Sequence, residues 1–198
     1  MPNNIINATS TGSGGLITTA ADSGSLELQS DGTTIATLSS TGLTMAAGKK
    51  VFSEGSVLQV VNTTTQFTGN YFSTGSTSLV STGLTVSITP QFSSSKIFLI
   101  TNAPCGTSTS GVVGLYTIYR NSTNLATGTS PSGLAVLRNS AGYMENIVTM
   151  SFLDSPSTTS STTYTVYMSV NTGSATFGTL GGHVNSAAVS FTAMEIKG

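Results

Sequence analysis

The sequence predicts an all-β protein: an antiparallel β-sandwich or jelly-roll head preceded by a short β-rich stalk. Three observations point there. Only 7% of the 198 residues are charged, where about 25% is typical. Ser and Thr supply 67 residues, 32 and 35 respectively, and β-branched Thr suits the solvent face of a strand. Short apolar or alternating runs recur between Ser/Thr/Gly turns, with no room for a helix of three turns.

The composition also excludes several functions. Six Lys and Arg build no basic footprint, so nucleic-acid binding is not expected. No apolar run approaches the roughly 20 residues that span a bilayer, and Met1-Pro2-Asn3-Asn4 lacks the basic start and apolar core of a signal peptide. The single cysteine, Cys105, forbids an intrachain disulfide and any Cys-cluster zinc site. Beside Pro104 and Gly106 it reads as a buried or loop-packed thiol.

The chain changes character near residue 50. All 14 aromatic residues follow it, beginning with Phe52, while residues 1–50 hold eleven Leu, Ile or Met. Ordering each residue costs about 1–2 kcal/mol, so a segment this thin in large side chains must borrow an apolar surface from other copies or from a larger assembly. Leu26–Ser30 alternates, Asp31-Gly32 signals a turn, and Thr33–Leu38 follows. Ser39–Gly42 turns again and Leu43–Met45 closes the pattern. Ala46–Lys50 fits either one helical turn or a bend.

Residues 51–198 read as a series of strands. Ser56–Asn62 is apolar enough for a buried strand. Leu84–Thr89 alternates and stops at Pro90, and Lys96–Thr101 is expected to stop at Asn102-Ala103-Pro104. Gly114–Arg120 should turn through a four-residue loop, Asn121–Asn124, and return at Leu125. Glu145–Leu153 ends at Asp154-Ser155-Pro156, with Asp154 expected as a turn acceptor for nearby backbone N–H groups. Thr163–Val170 alternates up to Asn171, and Ala188–Ile196 is the last strand. Seven or more strands in about 148 residues suffice for a two-sheet core. Apolar residues on both faces of Ile97–Ile100 fit a neighbouring subunit or a covering loop.

With the strands placed, the chain resembles terminal modules of tailed-bacteriophage virion proteins. The residues that carry the resemblance are Phe152–Pro156, the tract Ser157–Val166, the ending Ala193–Gly198 and the hairpin Tyr119–Leu125. Leu26–Thr34 looks like the repetitive portions of such proteins. The resemblance implies a homotrimeric β-sandwich head on a virion surface. Residues 1–50 would be the stalk that anchors and trimerises, and 51–198 the head. The implied function is capsid decoration (a cement protein) with some adhesion to a host surface, or else a receptor- or glycan-binding tip of a tail fibre or tailspike. The missing fibre shaft favours the capsid. The implied partners are further copies of the chain, the major capsid or tail proteins, and a host glycan, with no nucleic acid and no membrane.

Nothing in the sequence marks an enzyme, a cofactor or a metal site. The only histidine, His183, lies in Gly181-Gly182-His183-Val184, a turn context without a paired nucleophile. The seven acids are scattered, with no pair singled out for glycoside cleavage and no close cluster for calcium. Thr11–Gly15 has neither the preceding strand nor the lysine of a phosphate loop. Tyr71, Phe72 and Tyr143, beside Gly- and Ser-rich loops, are the candidate glycan contacts; the competing reading is that these rings plug the core or a subunit contact.

Overall fold

A computed structural model describes residues 25–67, 69, 71–128, 132–178 and 187–198. His183 and Thr11–Gly15 lie outside them. The chain falls into two compact units, Met1–Val51 and Phe52–Gly198.

The first unit contributes a three-stranded antiparallel meander, β1 (Leu26–Ser30), β2 (Thr33–Ser39) and β3 (Gly42–Met45). Asp31 and Gly32 both take positive φ, 49° and 69°, the geometry of a two-residue hairpin turn that follows strand twist. Ala46–Lys50 proves to be a bend: the Lys49 amide donates to the Ala46 carbonyl at 2.9 Å, and Gly48 has φ 76°. Register decides the faces of this sheet. Leu26 pairs with Leu38, and Leu38 with Leu43; Leu28 pairs with Ala36, and Ala36 with Met45. Side chains alternate across a strand, so all six apolar residues share one face. Glu27, Gln29 and Thr34 share the other, where the Gln29 amide and the Thr34 hydroxyl donate to Glu27 at 2.9 and 3.0 Å.

The second unit is a sandwich. Its strands are β4 (Val57–Phe67), β5 (Phe72–Thr74), β6 (Val80–Ile88), β7 (Lys96–Thr107), β8 (Val113–Arg120), β9 (Thr123–Asn124), β10 (Ala135–Arg138), β11 (Met144–Asp154), β12 (Thr162–Val170), β13 (Ala175–Phe177) and β14 (Ala187–Ile196). One sheet runs β4-β14-β7-β11, with β13 and β5 extending it beside β7. The other runs β6-β12-β8-β10, with β9 beside β8. Successive principal strands alternate between the sheets, so that first and last are neighbours in one and the second pairs with the next-to-last in the other. That is jelly-roll winding, and it confirms the expected fold class. No helix occurs among the described residues.

The core lies between the sheets. Ile97, Leu99, Met150, Phe177, Phe191 and Ala193 face Leu84, Val86, Ile88, Tyr116, Ile118, Tyr164 and Val166. Each large side chain contributes about 1.5–3 kcal/mol by leaving water. The opposite faces carry hydroxyls, as in the Ser87–Thr163 pair at 2.8 Å. Strand β6 bulges where β12 shifts register between Thr165 and Tyr167. Gly83, at φ 82°, makes that bulge, since an L side chain is strained there.

Two boundaries differ from expectation. Strand β7 continues through Pro104 to Thr107. On the side facing β14 and β13, the ladder stops at Asn102 and resumes at Cys105. Pro104 therefore sits at a gap, where a missing N–H is tolerated. The β8–β9 connection is two residues, Asn121 and Ser122, because Arg120 already pairs with Thr123. Asn121 supplies the tight turn by adopting φ 52°, which Asn tolerates better than most residues.

Candidate functional site

The outer face of the β4-β14-β7-β11 sheet is divided into bands. Cross-strand register aligns Val60, Met194, Phe98 and Leu153 in one row over four strands. Val57 and Ile196 stand beside it. Val57, Val60 and Leu153 are exposed. The middle of the face is polar: the Asn62 amide donates to the Thr192 hydroxyl at 2.7 Å, and the Thr149 hydroxyl donates to Asn102 at 2.7 Å.

At the far end, Ser73, Thr176, Gly106 and Glu145 form a row across β5, β13, β7 and β11. Gly106 makes this row concave. A Cβ there would meet Thr176 Oγ1 at 2.9 Å, the Tyr143 hydroxyl at 3.3 Å and Glu145 Cγ at 3.4 Å. The result is a cleft of about 240 Å³ lined by Ser73, Gly106, Thr107, Ser108, Ser174, Thr176 and Tyr143. The Tyr143 hydroxyl donates to Glu145 Oε1, which orients the ring. Thr107 is 1% exposed, and its Oγ1 is a buried side-chain atom without a hydrogen-bond partner. Such atoms are rare in folded proteins, because each costs about 1–3 kcal/mol.

The three aromatic candidates do not come together. Tyr71 packs edge-on to Phe177, with ring centroids 6.2 Å apart. It and Phe72 are half-buried against the core. Tyr143 alone is largely exposed, at 61%, and alone borders the cleft. Sequence reasoning missed Ser73, Gly106, Thr107 and Thr176, which arrive from three separate strands. A glycine inside the strand, at Gly106, was the available signal, since strand glycines mark bulges or close approach.

Two carboxylates, Asp154 and Glu195, tie strands together. Asp154 is not a turn acceptor. Its carboxylate takes Arg120 Nη1 at 2.9 and 3.1 Å and the Tyr164 hydroxyl at 2.7 Å, joining the ends of β11, β8 and β12. Burial, and then the Asp154 carboxylate, push the Tyr164 phenol up. Glu195 is fully buried and takes Gln59 Nε2 at 2.6 Å, the Ser95 hydroxyl at 2.7 Å and the Gln91 amide at 2.7 Å. Burial alone would raise its pKa; these hydrogen bonds outweigh burial and hold it below the usual carboxylate range. Burial pushes the Cys105 thiol up to about 12, so it stays protonated and inert at neutral pH. Among the described residues, no three His, Cys, Asp or Glu side chains group to hold a metal ion.

In the first unit, the candidate contact surface is the apolar face of the meander. Leu28, Leu38 and Leu43 are 46%, 48% and 56% exposed, and Ala36 is the one buried apolar residue described there.

No protein-family model matches the chain, and no curated protein matches it. Solved structures do. One is that of infectious bursal virus derived T=1 particles, at 14% identity and TM-score 0.40, over 79% of this chain and 38% of that one. Another is infectious bursal disease virus Gt strain, at 15% identity and TM-score 0.38, over 87% and 43%. The chain thus spans less than half the length of these structures. A likeness at this level assigns neither family nor function.

Proposed function

We propose that the chain is a structural protein of a virus particle: a homotrimeric capsid decoration (cement) protein on the outer surface of a phage head. Residues 1–50 anchor and trimerise, and residues 51–198 form the displayed head. The observation that carries this reading is the single-sided apolar face of Leu26, Leu28, Ala36, Leu38, Leu43 and Met45. A sheet with one apolar face requires a second layer. Three copies of that face can close on a common axis, and cyclic closure caps growth, whereas an open arrangement would polymerise. The phage-like tract Ser157–Val166 and the jelly-roll head support the virion setting. A sparsely charged, hydroxyl-rich exterior suits a protein that coats a shell without competing for nucleic acid.

Quantitative mass spectrometry of purified particles that carry the gene tests the reading. A decoration protein is present in hundreds of copies per particle. A handful of copies would place the chain at the tail instead, as a fibre or tailspike tip.

A further inference from the structure

We infer that the cleft at the Gly106 end of the outer sheet face binds a neutral saccharide, one sugar ring at a time, against the Tyr143 side chain. This inference concerns a different surface from the trimerising sheet and stands independently of it.

Three features carry it. The first is size: about 240 Å³ falls below the roughly 300–1,000 Å³ of drug-sized sites, which suits a single ring. The second is chemistry. Ser73, Ser108, Ser174 and Thr176 bring hydroxyls to one small space, and a hydroxyl both donates and accepts. A ligand rich in adjacent hydroxyls satisfies such a wall; an aliphatic ligand would strand it. The third is the exposed Tyr143 ring, fixed through its own hydroxyl on Glu145, which presents a flat apolar surface to the C–H face of a sugar. Charge sets the class. Among the described residues no Lys or Arg lines the cleft, and Glu145 stands at its edge, so anionic sugars are disfavoured.

Saturation-transfer-difference NMR on the full chain tests this. The probes are glucose, galactose, N-acetylglucosamine and rhamnose, with N-acetylneuraminic acid as the anionic control. At least one neutral probe should show transfer, and the anionic control none. Tyr143→Ala should weaken binding of that probe at least about tenfold. Gly106→Ala fills the floor of the cleft and should abolish transfer. Thr176→Val keeps the shape and removes a hydroxyl that lines the cleft. It should weaken binding roughly two- to tenfold, the loss of one hydrogen bond, while the melting temperature holds. Binding lost at an unchanged melting temperature separates a ligand contact from a structural one. Transfer to none of the neutral probes, or transfer that survives both Gly106→Ala and Tyr143→Ala in a folded protein, overturns the inference.

Discussion

The three-stranded meander and the jelly roll are made of the same materials and end in opposite conditions. Both use Thr- and Ser-rich strands, Gly turns and few charges. In the jelly roll, Ile97, Leu99 and Phe191 are 0% exposed, because a second sheet meets them. In the meander, Leu28, Leu38 and Leu43 keep about half their surface open. Alternation of apolar and polar residues is enough to make a sheet. Only a second layer makes a core. The jelly roll finds its second layer in its own chain; the meander has too few strands to supply one.

The largest effect should come from separating the two regions. Residues 51–198 expressed alone should keep a β circular-dichroism spectrum and a cooperative melt, because every aromatic side chain and both sheets of the sandwich remain. They should lose self-association and attachment to particles. A molten, protease-sensitive fragment would show that the jelly roll depends on the meander.

Next comes the jelly-roll core itself. Phe191→Ala removes a fully buried ring and should destabilise the head by about 3–5 kcal/mol, read by denaturant unfolding. If the contrast between the regions holds, a similar truncation in the meander, Leu38→Ala, should leave the head transition unchanged.

A smaller loss should follow Asp154→Asn. It strips the charge from the partner of Arg120 and Tyr164. The Arg120 side chain is 28% exposed, so water compensates part of the loss, and about 1–3 kcal/mol is expected. No change in the unfolding midpoint would mean that the ion pair adds nothing beyond packing.

The smallest effect is a pH dependence centred on Glu195. Its folded pKa is depressed from an unfolded value of about 4.3. The unfolded state therefore binds more protons in this range, so stability rises with pH there. The Glu195 contribution is complete above the unfolded pKa and drains away as pH falls through the folded one. Melting temperature recorded from pH 7 down to pH 3 should fall more steeply in the native chain than in Glu195→Gln. Equal slopes would remove Glu195 from the acid response.

The difference between the regions was largely legible in the residues. Leu26–Met45 showed its alternation and its Asp31-Gly32 turn, and the lack of aromatics before Phe52 showed that its apolar face needed company. Alternation likewise revealed β6 and β12. Less legible was anything set by partners distant in sequence. Pro104 looked like a strand end because local rules penalise proline; only the gap between β14 and β13 explains its place inside β7. The short strands β5, β10 and β13 carry too few residues to show a period. Asp154 looked like a turn residue beside Pro156, and its real partners, Arg120 and Tyr164, lie on other strands. The cleft was hidden for the same reason, since the row from Ser73 to Glu145 is assembled by strand register alone.

The central claim, that the meander completes its core with the same face of two other copies, is tested most directly by light scattering. The full chain at micromolar concentration should have a mass of about three times 20.0 kDa. The variant Leu28→Ser/Leu38→Ser/Leu43→Ser should scatter as a monomer with an unchanged head melt. A native chain that stays monomeric, or a variant that stays trimeric, would contradict the account.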